Sequence, residues 1–264
     1  AADLPYNWER VQKYPQLIGD FVWAAWDYLG ESCMGWTYHS YLGLPLLANQ
    51  GMIDSTGQPL ASMAFMQVVW GLRKKPYIGV RPLNHAHEAP SKGSWQFTDA
   101  IDSWNWPGFE GTKATVEVYS AGSAVRLLLN GQKIATRRLK DYKALFHLPY
   151  APGVLTAQAL DASGTVLAES SLSSGKGKRK LSAIPEKRIL QAGSGALCYL
   201  PVEFVDEEGV LLPAVETSVA LSVRGPIIRE GFGSALYKTE ESYQQDHFTS
   251  YRGRCLAVFR AGNQ

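Results

Sequence analysis

Cysteine is scarce. The chain of 264 residues has three, Cys33, Cys198 and Cys255. They are too few and too scattered for a disulfide framework or a zinc site, so buried free thiols are expected. Cys198 and Cys255 could pair if both sit in the last domain, which the sequence leaves open. No apolar run approaches the roughly 20 residues of a membrane helix, and no membrane partner is expected. The first residues lack the charged and apolar regions of a signal peptide. An excess of one charge is missing too. The 26 basic and 24 acidic side chains leave +2, without the basic face of a nucleic-acid binder. The one basic run, Lys176-Gly177-Lys178-Arg179-Lys180, lies among Ser and Gly and reads as a solvated linker. A lone His-x-His, His85 and His87 in a polar connector, is a poor metal site. No metal or cofactor is expected.

What is present is ordinary in bulk and particular in one residue type. Apolar content is 45% and charged content 19%, a globular balance, and the length allows two or three domains. Eight tryptophans are present. Five fall between Trp8 and Trp70, and Trp95, Trp104 and Trp106 cluster further on. Such enrichment points weakly to carbohydrate handling. The stretch Gly19–Glu31 organises the reading. Phe21 to Ala25 is apolar on both faces, which suits a parallel strand buried on both sides. Trp26, Asp27, Tyr28 and Glu31 follow. A strand ending this way delivers flat apolar surfaces and hydrogen-bond acceptors to its carboxyl end, where α/β barrels keep their sites. Sugars bind that combination, with C–H faces on Trp and hydroxyls on acceptors.

Along the chain, residues 1–18 read as a loop and a short helix from about Glu9, stopped by Pro15. One parallel strand cannot stand alone, so the chain is expected to begin in the middle of a domain. Residues 32–58 form a long loop containing Trp36, Tyr38, His39 and Tyr41, and long loops after barrel strands are often functional. His39 has no evident carboxylate partner and reads as either a site residue or a loop hydrogen bond. Asp54 or Ser55 could cap a turn, with Pro59 at a first helical position. A helix is predicted over about Leu60–Leu72, with Met63, Phe65, Met66, Val69 and Trp70 as its apolar face and Pro76 as its stop. From about Phe97 the period becomes two. Strands are predicted at Ala114–Tyr119, Ala124–Leu129, Ile134–Leu139, Ala144–Leu148, Val154–Leu160 and Val166–Ser170. The turn Asn130-Gly131 between apolar runs is the strongest short hairpin signal, and this spacing means a β-sandwich. After a second linker at Ser170–Lys180, further strands are expected at Leu197–Val205 and Val215–Val223.

Phe21-Val22-Trp23 followed by Trp26-Asp27-Tyr28-Leu29-Gly30-Glu31 resembles the eighth barrel strand of glycoside hydrolase family 2, the β-galactosidases and β-glucuronidases. Asp54-Ser55-Thr56-Gly57-Gln58-Pro59 is similar to the Asp-x-x-Gly-x-Pro turn before that family's last barrel helix, with Leu60 where Lys is frequent. Trp104–Gly111, Leu127–Gly131 and Tyr150–Gly153 resemble the immunoglobulin-like domain that follows the barrel. Gly231-Phe232-Gly233, Glu240–Tyr243 and Tyr251–Phe259 resemble the family's last such domain, whose pattern usually continues for one more strand. The resemblance implies a mainly β protein: two immunoglobulin-like β-sandwiches preceded by a partial (β/α)8-barrel remnant. It implies a barrel end at 1–83, a sandwich at 84–175 and a second, truncated sandwich at 176–264. It makes Trp23 the substrate contact, with Trp26, Asp27 and Glu31 as site wall or loop anchors.

Family 2 enzymes hydrolyse β-glycosides with retention, using two glutamates roughly 5–5.5 Å apart. By resemblance these end the fourth and seventh barrel strands, ahead of this chain. Glu9, Asp20, Asp27 and Glu31 are poor substitutes, because no second strand presents a partner carboxylate, so no catalytic residue is assigned. The expectation is the C-terminal part of a β-galactosidase-like hydrolase, inactive alone. Its partners would be a β-linked glycoside and the missing N-terminal part of its own chain. The alternative is a non-catalytic carbohydrate-binding or scaffolding module, with Trp95, Trp104 and Trp106 as an exposed, coplanar platform. Pro107-Gly108 and Gly111 look like tight junction turns and favour burial of those indoles. An adhesion-type immunoglobulin tandem would leave Gly19–Glu31 unexplained.

Overall fold

The computed structural model describes residues 3–263. Strand accounts for 36% of the chain and helix for 8%, which makes the fold mainly β. The chain divides into two compact units. One holds the residues up to Tyr41 together with Leu46–Ser174, and the other holds Leu42–Pro45 and the residues from Gly175 on.

The first unit opens with helix α1 (Leu4–Lys13). It begins earlier than the sequence suggests, because Pro5 occupies its first turn, where the missing N–H costs nothing. It stops at Tyr14, whose backbone is extended, as the residue before a proline prefers. After the short strand β1 (Trp36–Thr37) comes helix α2 (Ala61–Val69). Its buried face is Ala61, Ala64, Phe65, Val68 and Val69, while Met66 and Trp70 pack half-buried against the same core. The terminator is Gly71 rather than Pro76. Gly71 has φ +72°, its N–H donates to Val68 O at 3.0 Å, and the Leu72 N–H donates to Gln67 O at 2.8 Å. These two bonds and the left-handed glycine form a Schellman stop. Leu4 of α1, the α2 face, Tyr77, Ala100 and Tyr119 share one core, and the Trp8 and Trp70 rings meet at 5.3 Å beside it.

Strands β2 (Tyr77–Val80), β3 (Ser91–Lys92), β4 (Lys113–Tyr119), β5 (Ala124–Leu129), β6 (Gln132–Arg138), β7 (Lys143–Pro149), β8 (Val154–Leu160) and β9 (Val166–Ser173) complete the unit. They form a three-stranded sheet in the order β2-β4-β7, a four-stranded sheet in the order β6-β5-β8-β9, and a small β1-β3 pair, all antiparallel. Asn130 and Gly131 both have positive φ between β5 and β6, the twist-matched hairpin turn. Alternate residues are buried, with Val116, Val118, Val125, Leu127, Phe146, Leu155 and Ala157 lining the sandwich interior. Trp104 and Trp106 are completely buried. Their indole N–H groups donate to Ala151 O at 3.0 Å and Ser103 O at 3.1 Å. They are core residues, so the exposed three-tryptophan platform does not form.

A buried carboxylate of this unit is paired with two cations. Glu117 on β4 is fully enclosed, with Arg81 Nε at 2.8 Å, Lys143 Nζ at 2.7 Å and the Tyr119 hydroxyl donating to it at 2.7 Å. Burial alone would raise its pKa, but the two cations and the hydrogen bonds outweigh that and hold the carboxyl below the usual range.

The second unit has strands β10 (Lys180–Ala183), β11 (Leu197–Val205), β12 (Ser218–Ala220), β13 (Ile227–Gly233), β14 (His247–Thr249) and β15 (Arg254–Ala261). The main sheet runs β10-β11-β15-β13, with β12-β14 as a separate pair. The strand expected over Val215–Val223 shrinks to three residues. Val202, Phe204, Leu212, Val219, Phe232, Phe248, Ala257 and Phe259 form the core. Leu42–Pro45 joins this unit through the Thr239 N–H, which donates to Leu44 O at 3.0 Å. Cys198 and Cys255 are both free and buried. In the β11–β15 register Cys198 faces Phe259 and Cys255 faces Val202, so the two thiols lie at different heights of the sheet and do not pair. Burial, with Glu241 nearby, pushes the Cys255 thiol up to about 12. No helix among the described residues is long and apolar enough to cross a membrane.

Candidate functional site

Phe21–Ala25 is neither a regular strand nor buried. Phe21 is 89% exposed and Trp23 62% exposed. No strand flanks this run among the described residues, and a run that is apolar on both faces is fully buried only within a sheet covered on both sides. The segment does make one step of parallel pairing. Trp26 and Ile53 form a parallel bridge. The Ile53 N–H donates to Ala25 O at 2.9 Å, and the Asp27 N–H donates to Ile53 O at 2.8 Å. Gly51 makes this approach possible, since a Cβ there would lie 2.3 Å from Asp27 N. Beyond it, Leu29 and Leu47 form an antiparallel bridge.

This double tether fixes a small polar array. The Trp23 indole N–H donates to the Tyr28 hydroxyl at 3.0 Å, and the two rings meet edge-on at 6.3 Å. The Tyr28 hydroxyl donates to Glu31 Oε2 at 2.6 Å and accepts from Gln50 Nε2 at 2.6 Å. The Gln50 backbone N–H donates to Asp27 Oδ1 at 3.2 Å. Asp27 is buried, and desolvation raises its pKa despite amide hydrogen bonds from Gln50, Tyr28, Gly51 and Asn49. Gln50 is buried, with its Oε1 lacking a hydrogen-bond partner among the described residues.

Of the residues singled out from sequence, Trp23, Asp27 and Glu31 are therefore brought into one network, and Trp26 stands apart with more than half its surface exposed. Tyr28 and Gln50, which join that network, were not expected as site residues. Tyr28 lies in the organising stretch itself, but nothing in the sequence connects it to Gln50, 22 positions away. Asp54 caps the following turn, its Oδ1 accepting from Thr56 N at 2.9 Å and Gln58 N at 3.0 Å.

The long loop carries a second cluster. His85 is buried and stacks on Tyr38 with centroids 4.0 Å apart. The Tyr41 hydroxyl lies 2.9 Å from its Nε2, and Glu88 Oε2 lies 3.3 Å from its Nδ1. Tyr38 also donates to Asp99. Burial works to raise the Glu88 pKa, but hydrogen bonds from Ser40 and His85 outweigh it and bring the carboxyl down to about 2. His39 and His87 are exposed, and no metal-holding group of His, Cys, Asp and Glu exists among the described residues. The cluster pins the loop with aromatic stacking and one carboxylate–imidazole contact.

In class, this is a mainly β protein of sandwich units with an indole-bearing polar array on an irregular N-terminal segment. The family follows from comparison. Residues 181–264 match Glycoside hydrolase family 2 C-terminal domain 5, and residues 111–168 match a domain of unknown function (DUF4982). The chain is 24% identical over 247 residues to Beta-galactosidase BoGH2A of Bacteroides ovatus, covering 92% of this chain and 25% of that protein. It is similar to a solved glycosyl hydrolase family 2 member from Bacteroides cellulosilyticus, with 31% identity and a TM-score of 0.83 over 99% of this chain and 35% of that one. A β-glycosidase from Bacteroides vulgatus shares the fold at 23% identity and a TM-score of 0.71, covering 98% of this chain and 30% of that one. The chain is thus related over nearly its whole length to glycoside hydrolase family 2 and carries that family's C-terminal domain at residues 181–264. It spans about a quarter to a third of the length of these relatives.

Proposed function

We propose that this chain is the C-terminal part of a retaining β-glycosidase of the β-galactosidase type. In this reading Trp23 supplies an apolar wall of the sugar subsite, and Asp27, Glu31 and Trp26 shape and anchor that wall. The two catalytic glutamates are contributed by barrel strands outside this chain, which also cover Phe21 and its apolar neighbours. The stretch up to residue 83 then reads as the last strand and helix of the barrel, followed by two immunoglobulin-like sandwiches at 84–175 and 176–264.

The observation that carries the reading is the exposed Trp23 indole with its N–H held by Tyr28, itself held by Glu31 and Gln50. An indole edge fixed in this way leaves the flat face free, and stacking a sugar on a fixed ring loses less entropy than stacking on a mobile one. Supporting it are the parallel step at Trp26 and Ile53 with a helix directly after it, and the similarity to the Bacteroides ovatus β-galactosidase. The carbohydrate-binding alternative has lost its platform with the burial of Trp104 and Trp106.

The test is hydrolysis of a chromogenic β-galactoside by this chain alone and by the longer protein that contains it. The chain alone should be inactive and the longer protein active. In the longer protein Trp23→Ala should raise KM and lower kcat/KM by about a hundredfold, the scale of a lost aromatic platform. Turnover by the chain alone that disappears on changing Asp27 or Glu31 would reject the reading.

A further inference from the structure

The second unit contains a cavity unrelated to the Trp23 array. It has a volume of about 850 Å³ and opens at one end of the sandwich, against β11 and β15. Its floor is apolar: Cys198 and Leu200 from β11, Phe259 and Ala261 from β15, and Ile227 from β13. Its outer wall is the connection after β10, with Ile184, Pro185 and Leu190. Three cations, Lys187, Arg188 and Arg224, also line it, and no carboxylate among the described residues does.

The wall is pinned rather than loose. The Glu186 N–H donates to Tyr199 O at 2.9 Å, and the Gly193 N–H donates to Gly262 O at 2.9 Å. Lys187 Nζ donates to Leu197 O at 3.3 Å, and Cys198 Sγ lies 3.3 Å from Lys187 O. Lys187 is thereby engaged with the strand behind it. Arg188 and Arg224 form no ion pair among the described residues, so two guanidinium groups border an apolar concavity with no counter-charge of their own.

A cavity of several hundred Å³ with apolar walls and a few oriented polar groups is the usual form of a small-molecule site. A guanidinium fork matches a carboxylate with two parallel hydrogen bonds. A sugar alone would leave this floor unmatched, and a neutral hydrocarbon would leave the cations unused. We infer that the cavity binds an amphipathic carboxylate, its apolar body on Leu200, Phe259 and Ile227 and its charged head on Arg188 and Arg224. The inference is independent of the proposed glycosidase role, because every residue in it belongs to the second unit.

The experiment is titration calorimetry of this chain with decanoate, beside 1-decanol and decyltrimethylammonium. The expected result is saturable one-site binding of decanoate, about tenfold tighter than decanol and weakened by salt, with no binding of the cation. Arg188→Glu and Arg224→Glu together change two exposed side chains and should abolish the preference for decanoate. Leu200→Trp, which fills the floor, should abolish binding of both ligands, with circular dichroism checking that each variant is folded. Equal affinity for decanoate and decanol, a preference for decanoate that survives the double charge reversal, or no binding would overturn the inference. So would attachment to phosphatidylglycerol vesicles without saturable uptake of free decanoate, which would mark a lipid-facing surface.

Discussion

The Trp23 indole N–H and the Tyr28 hydroxyl meet at 3.0 Å, five residues apart, although the segment between them is not a regular strand. The contact holds because Tyr28 is itself fixed from two sides, by Glu31 and by Gln50. A carboxylate that accepts from a phenol makes the phenol oxygen a better acceptor, so the three bonds strengthen one another. The orientation of Trp23 thus depends on a residue that need not touch a ligand.

Tyr28→Phe tests this dependence. The substitution keeps the ring and deletes the oxygen, leaving the buried Gln50 amide and the Trp23 N–H without their partner. The chain should lose about 1–3 kcal/mol of stability, the cost of an unsatisfied buried polar group. Trp23→Phe in the Tyr28→Phe background should then cost less than Trp23→Phe alone. Strict additivity of the two changes in a double-mutant cycle, read by urea unfolding, would show that the pair is not coupled.

Asp27 gives a pH signature. Its carboxyl is buried and its pKa raised by desolvation. An acid with a raised folded-state pKa holds its proton more tightly when folded. Stability therefore falls as pH rises from the ordinary aspartate value through the folded one, and the penalty persists at neutral pH. Asp27→Asn removes the charge and keeps an oxygen to accept from the Gln50 N–H. The variant should match the parent near pH 3 and exceed it at pH 7. A difference in unfolding midpoint that stays constant across that range would rule out desolvation of Asp27 as its cause.

How far these features could be read from sequence follows from the range of the forces behind them. Asn130-Gly131 was legible because a two-residue turn is specified by its own φ angles, and the Val154–Leu160 strand because burial alternates along it. The exposure of Phe21 was not, since an apolar run records what it would prefer to touch and not whether the neighbour is present. Nor was the buried face of α2, where small Ala61 and Ala64 lie inward and larger Met63 does not. Gln50 and His85 were invisible as members of their clusters, because neither partner set is encoded by spacing. His85 meets Tyr38 and Tyr41 across more than 40 positions. Within the candidate site, the aromatic and acidic residues of one short stretch could be named, but the amide that ties them together could not.

Glu117→Gln isolates the buried charge of the first sandwich. At neutral pH the variant leaves Arg81 and Lys143 facing a neutral amide, with the Lys143 and Arg81 side chains 23% and 30% exposed. Breaking a buried ion pair from one side costs about 3–5 kcal/mol, and the partial exposure of both cations puts the expected loss at the lower end, about 3 kcal/mol. The pH dependence runs opposite to that of Asp27. The folded-state pKa of Glu117 is lowered, so its contribution is complete above the ordinary glutamate range and is lost as pH falls through the folded value. The gap between parent and variant, measured by urea unfolding from pH 7 downward, should narrow only below that ordinary range. A gap already closing between pH 7 and pH 5 would mean that the carboxyl titrates above its usual value, and that desolvation rather than the two cations governs it.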